Sequence, residues 1–288
     1  MTTLNYTKAI TELKKHYEDN RLIPFIGAGF SMNLKLPDWK GLILSLGKNI
    51  GYHEELFLLH GSYQELAEYV KTYHKREWQE FIHTMHRDFD SDKTRKLRKT
   101  SKHHKALARL NFKTIYTTNY DLHIEESLRE NKRNVRTIVI LENFIEPIKV
   151  EDCTEVIKFH GCINYPDTII LTESQYFSRM ALEEPVDQRL RSDLLSNSFL
   201  FLGYSFSDPN IRYIWYKIHA LLEKQSVEKK AMRPSYVVSF GFDAVQAKLL
   251  NRWNIKLISL DPTKKEESLE LHTPDNLTTL RRSKLTTS

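Results

Sequence analysis

At 288 residues, 40% hydrophobic and 28% charged, the chain has enough apolar mass for one large core and the surface charge of an ordinary globular protein. No apolar run nears the roughly 18 residues of a membrane span, and the first twenty residues show no apolar leader with a small-residue cleavage site, so the sequence predicts a cytoplasmic chain without membrane contact. The net charge of +6 is a mild basic excess, and two cysteines, Cys153 and Cys162, exclude a disulfide framework and a four-cysteine metal site; no metal is expected.

Ile10, Leu13 and Tyr17 recur at helical spacing, so a first helix is expected over 7–19. The apolar run Leu22 to Ile26 reads as a buried strand that ends in Gly27-Ala28-Gly29 and then Ser31. Two glycines without Cβ atoms let a diphosphate approach backbone N–H groups, and a helix starting near Ser31 would add its positive end. The full G-x-G-x-x-G fingerprint is absent, since no glycine follows before Gly41. From Trp39 to about Leu110 the pattern is helical, a predicted insertion of 39–110 beside the sheet. It ends in a run from Lys93 to Lys105 with seven Lys or Arg and no acid, a solvated face or a surface for nucleic acid or an acidic partner.

Strand character returns at 112–118, 135–140, 156–159, 199–202, 235–238 and 255–260, separated by helical stretches near 122–129, 188–196, 211–224 and 245–251. Near-continuous apolarity marks strands buried on both faces, so the predicted fold is α/β: a Rossmann-like, doubly wound parallel sheet. Residues 1–261 are read as one catalytic domain and 262–288 as a polar tail.

Four strand ends carry polar residues: Gly27-Ala28-Gly29-Phe30-Ser31, Thr118-Asn119-Tyr120-Asp121, His160-Gly161, and Gly203-Tyr204-Ser205 followed by Asp208. In a doubly wound sheet the carboxyl ends of parallel strands open on one crevice, where these residues can converge. The ordered set resembles the sirtuin family, and more specifically the sirtuin-like NAD-hydrolase domains of prokaryotic antiphage defence. The resemblance spans Ile23 to about Ile214. It implies NAD as substrate, cleaved to nicotinamide and ADP-ribose. It also implies catalytic roles for His160, Asn119 and Asp121, and NAD contacts at Gly27, Ala28, Gly29, Ser31, Asp38, Thr118, Gly203, Ser205 and Asp208. A homo-oligomer and a regulatory or sensor subunit from the same operon, such as an ATPase or a nucleic-acid-linked sensor, are implied in the same way.

The chain departs from the deacylating sirtuins in lacking the zinc ribbon after His-Gly and in reading Leu36-Pro37-Asp38-Trp39-Lys40 where they tend to carry Pro-Asp-Phe-Arg. The residue types fit glycoside cleavage on their own terms. The leaving nicotinamide is already cationic in NAD, so departure needs no strong acid, only orientation and a base. His160 can take a proton from a ribose hydroxyl or a water near neutral pH, and Asn119 can hold that water or the ribose. Asp121 can orient the nicotinamide amide or its ribose, and Ser31 and Ser205 can hold ribose or phosphate. Singly, each motif has a plainer reading: Asn-x-Asp and Ser-x-x-Asp are helix-capping patterns, and a His before Gly is a turn residue. Other functional readings are a module that senses NAD or ADP-ribose without turnover, a zinc-free deacylase, and a hydrolase whose elbow Gly203-Tyr204-Ser205-Phe206-Ser207 would draw its acid from Asp243 or Asp261 and its base from His272.

Overall fold

β1 (Leu22–Ile26) is buried along its whole length, as its unbroken apolar sequence requires. It pairs in parallel on one side with β2 (Thr114–Thr117) and on the other with β5 (Ser198–Leu202). β4 (Cys153–Lys158) follows outside β2, then β3 (Asn134–Ile138); β6 (Ser235–Phe240) and β7 (Ile255–Leu260) follow outside β5. In the order β3-β4-β2-β1-β5-β6-β7 the chain winds outward from β1 through β5, β6 and β7 on one side, while on the other β4 returns between β2 and the edge strand β3; all six pairings are parallel. The computed structural model describes residues 6–146, 152–206, 208–224, 232–241 and 243–260; the polar tail predicted over 262–288 lies outside them.

Alternate residues of each strand serve opposite layers, the two-residue period of a pleated strand. Ile23, Phe25, Tyr116, Ile157, Phe199 and Phe201 join the core beneath α11 (Pro185–Ser196) and α12 (Pro209–Lys224). Leu22, Ile26, Ile115, Val156 and Leu200 join the core beneath α1 (Tyr6–Glu18), α7 (Lys102–Arg109) and α8 (His123–Glu130). Each fully buried large side chain contributes about 1.5–3 kcal/mol, so a sheet covered on both faces is the stable outcome of strands that are apolar on both faces.

Between β1 and β2 the described residues contain no strand. They hold α2 (Trp39–Asn49), α3 (Glu54–Phe57), α4 (Tyr63–Tyr73), α5 (Lys75–Phe89), α6 (Asp92–Thr100) and α7. Their apolar stripes form a third core around Leu42, Ile43, Leu46, Leu66, Val70, Phe81 and Met85, which also takes in Tyr120, Cys162, Ile169 and Leu171 from beyond the strand ends. The basic run is folded into α6 and α7 and is not uniformly solvated. Arg98 is buried between Glu126 at 3.0 Å and Glu130 at 2.8 Å, and Arg95 pairs with Asp90 at 2.7 Å. No helix among the described residues is long and apolar enough to cross a membrane.

The helix expected to start near Ser31 does not form there. Two short 3₁₀ turns cover Ala28–Phe30 and Met32–Leu34, Lys35 takes a left-handed conformation (φ 61°), and α2 begins only at Trp39. Pro37 accounts for the delay, since the residue before a proline is driven out of the helical region.

Candidate functional site

Sheet register sets the site. Lys158, Thr117, Ile26 and Leu202 stand in one row across β4, β2, β1 and β5. The four polar motifs leave the sheet immediately beyond that row, side by side within roughly 15 Å at strand spacing. They lie at the point where the winding reverses, the place a doubly wound sheet offers a ligand.

The glycine loop is shaped by the neighbouring loop. Gly27 donates its N–H to the carbonyl of Leu202 at 2.9 Å and Gly29 donates to that of Gly203 at 2.9 Å. A Cβ on Gly27 would stand 2.5 Å from the Gly203 carbonyl oxygen, and one on Gly203, which has φ +61°, would stand 2.2 Å from the Phe30 nitrogen. These glycines let two backbones touch. The amides of Gly27 and Gly29, expected from sequence to take a diphosphate, are occupied by β5 and the residue after it; among the described residues Ala28 has no backbone acceptor. Phe30 and Ser31 likewise donate back to Gly27 and Ala28, at 3.0 Å each.

Two polar chains lie at these strand ends. In the first, Asn119 Nδ2 donates to Ser31 Oγ at 3.1 Å, and Ser31 Oγ donates to Asp121 Oδ2 at 3.3 Å. Thr117 Oγ1 accepts from the Asn119 amide at 3.0 Å, and Asp121 Oδ1 accepts from the His123 amide at 3.0 Å, an Asx turn just ahead of α8, whose N-cap residue is Leu122. In the second, His160 Nε2 is bonded to Asp208 Oδ2. The other Asp208 oxygen accepts the amides of Asn210 at 2.9 Å and Ile211 at 3.3 Å, the N-cap geometry of α12. Burial alone would raise Asp208, but the His160 charge and hydrogen bond, with those two amides, hold it below the usual carboxylate range. Tyr120, Tyr176 and Tyr204 surround this pair, and burial joined by the Asp208 charge pushes their hydroxyls up, so they remain neutral.

Ser31 is 2% exposed, Asn119 6%, Asp121 3% and His160 3%, so all four side chains are enclosed. Among the described residues, Asn119 Oδ1 and His160 Nδ1 are buried without a hydrogen-bond partner, as are the Tyr204 hydroxyl and both ends of the Asn210 amide. Buried polar atoms are ordinarily satisfied, and a ribose hydroxyl or a water is the kind of group that would satisfy the first two.

Sequence reading missed Lys158 and Glu125. The Lys158 ammonium lies 3.4 Å from Glu125 Oε1, both side chains fully buried, and donates to the Asp121 carbonyl. Burial works to neutralise Lys158, but Glu125, with Cys162 and Asp121 nearby, holds it above the usual lysine range, so a buried cation fastens the loop that carries Asn119 and Asp121. A lysine inside the apolar run Val156-Ile157-Lys158-Phe159 was the available signal, because a charge in a doubly buried strand needs a partner.

Of the remaining predicted contacts, Thr118 is half-buried with its amide on the Ile26 carbonyl at 3.1 Å, and Gly203 and Ser205 lie exposed on the loop after β5. Asp38 is exposed and caps α2 through the Gly41 amide at 2.8 Å. For the alternative triad, Asp243 caps α13 (Ala244–Asn251), while Asp261 and His272 lie outside the described residues. No group of three or more His, Cys, Asp or Glu suited to a metal ion occurs among the described residues.

Comparison with known proteins adds an independent line. The family model described as "SIR2-like domain" matches residues 113–258, half of the chain. A protein of Acinetobacter baumannii (strain 532279) named "NAD(+) hydrolase ThsA" is 31% identical over 268 residues, covering 88% of this chain and 52% of its own length. Proteins of the same name from Bacillus cereus (strain MSX-D12) and Cytobacillus dafuensis are 30% and 28% identical, over 86% of this chain each and 52% and 51% of their own lengths. The chain therefore spans about half the length of the curated relatives it matches.

Proposed function

Since the chain belongs to the SIR2-like domain family, we propose that it is an NAD hydrolase that splits the bond between nicotinamide and ribose. The observation that carries this reading is the joining of Ser31, Asn119 and Asp121 at the ends of β1 and β2 beside His160 at the end of β4, with buried Asn119 Oδ1 and His160 Nδ1 unpartnered among the described residues. The names of the relatives support it.

In the proposed reaction the C–N bond breaks as an oxocarbenium-like centre forms, and nicotinamide leaves with the electron pair. Asn119, braced through Ser31 to Asp121, orients the ribose or the attacking water. His160 takes the proton of that water, or of a ribose hydroxyl, as the new C–O bond forms. The products are nicotinamide, ADP-ribose and a proton. A module that only senses NAD would need the loop but not the paired imidazole, so the His160–Asp208 pair favours turnover.

Residues 1–261 form the proposed catalytic domain, with 39–110 as its helical insertion. The proposed setting is cytoplasmic depletion of NAD in antiphage defence. The enclosure of the reacting side chains supports a low basal rate, relieved when a further copy or an operon-encoded sensor subunit shifts the cover. Incubation of the chain with NAD, alone and with the products of adjacent genes, tests the reading: nicotinamide should be released by wild type and not by His160→Ala of equal thermal stability.

A further inference from the structure

His160 has two ring nitrogens, and only one can face the reacting ribose. We propose that Asp208 is the positioning residue that settles which: by accepting from Nε2 it fixes the imidazole in the tautomer whose free lone pair lies on Nδ1, and Nδ1 is the atom that takes the proton. This rests on the reading of His160 as the base of NAD cleavage.

The geometry supplies each step. An ionised carboxylate accepts and cannot donate, so the nitrogen bonded to Asp208 must carry hydrogen and the neutral ring must accept at its other nitrogen. That other nitrogen, Nδ1, is buried without a partner among the described residues. The ring centroids of Phe159 and Tyr176 lie 5.1 and 5.3 Å from that of His160, and a half-turn of the imidazole about Cβ–Cγ would put Cε1 in place of Nε2 and break the bond to Asp208. Asp208 is itself anchored, because its second oxygen caps the 16-residue helix α12 through the Asn210 and Ile211 amides. When Nδ1 takes a proton from water, the oxygen keeps its electron pair for the new bond to the ribose carbon. The imidazolium so formed lies against a buried carboxylate that stabilises it until the proton passes to solvent. The same aspartate is thus an ordinary helix cap by one oxygen and an orienting group by the other, which is why its motif alone reads only as a cap.

Steady-state kinetics on the full chain separate this from an NAD-binding or purely structural role. Asp208→Ala should lower kcat roughly 10²-fold with KM within about threefold. In the His160→Ala background the same substitution should cost nothing further, because its effect runs through the imidazole. A rise in KM with kcat unchanged, or an equal loss in both backgrounds, overturns the proposal. Asp208→Asn keeps the cap and the volume, and ¹⁵N-histidine spectra at alkaline pH, assigned by difference with His160→Gln, read the tautomer without any turnover. Wild type should show the Nε2–H form and Asp208→Asn should lose it; an Nδ1–H ring in wild type defeats the proposal even if NAD is hydrolysed. Wild type that shows the Nε2–H form, lost in Asp208→Asn, yet releases no nicotinamide keeps the pair and removes the hydrolase reading instead.

Discussion

The strand ends of β4, β2, β1 and β5 and the helices between β1 and β2 are held together on opposite terms. In the helical stretch polar contacts are mostly local: Asp38 caps the amide of Gly41, Ser62 and Glu65 form a reciprocal capping box, and Arg76 meets Glu80 one turn on. At the strand ends the key polar side chains are answered from far along the chain, Ser31 by Asp121, His160 by Asp208, Lys158 by Glu125, and all but the half-buried Asp208 are buried. A local, exposed contact can be lost to water at small cost, whereas a buried one leaves its partner without water or protein to replace it. The difference predicts that substitutions at the strand ends weaken the fold or its chemistry far more than equivalent ones in the helices.

The sharpest break should come at the buried ion pair. Lys158→Met leaves Glu125 buried and unpaired, with burial already pushing its carboxyl above the usual range, so unfolding free energy should fall by about 3–5 kcal/mol, while Lys158→Met with Glu125→Leu should recover most of it. A single variant as stable as wild type would show that the pair is not the anchor described. Gly203→Ala comes next: a methyl group at φ +61° pressed against the Phe30 nitrogen should cost about 3 kcal/mol in denaturant titration, and a loss below about 1 kcal/mol would mean that the two loops part freely.

His104 gives the comparison a pH axis. Burial, with His123, His103 and Arg98 nearby and Asp121 opposing, lowers it to about 3 from the ordinary 6.5. The unfolded chain therefore takes up this proton first on acidification: stability from this group is complete above about pH 6.5 and is lost as pH falls toward 3. Between pH 7 and 5 that loss should be roughly 2 kcal/mol, and His104→Gln should flatten the same interval. An unchanged slope in the variant would remove His104 from the account. The smallest effect belongs to the helical stretch, where Asp38→Ala should cost only about 1 kcal/mol and Asp38→Ser should restore most of it. A cost near that of Lys158→Met would erase the contrast between the regions.

Sequence reading found the seven strands because a parallel sheet writes its burial on both faces into short apolar runs; the run Leu22 to Ile26 is β1 to the residue. Helices α1, α8, α11, α12 and α13 fall within a few residues of their predicted positions for the corresponding reason, their apolar stripes. The stretch after His160-Gly161 was not legible: α10 (Glu173–Arg179) is short, and its Arg179 is held by Asp187 from the next helix, a contact without periodicity to announce it. At the site, residue types and order named His160, Asn119 and Asp121, but not what binds them. The join of His160 to Asp208 spans 48 positions and depends on where β4 and β5 end in the sheet. The close approach of Gly27 to Gly203 is equally a property of two loops, so the glycines read as an open cradle for phosphate when taken alone.

The central claim is that these buried strand-end groups carry out NAD cleavage, and nicotinamide release is its most direct test. Purified wild type, His160→Ala and Asn119→Ala, matched by thermal unfolding and incubated with NAD over hours, should divide cleanly. Wild type releases nicotinamide, while His160→Ala falls by roughly 10²–10⁴-fold and Asn119→Ala by a comparable factor, both still folded. Equal release by all three, or NAD binding by wild type with no release under any partner condition, would contradict it.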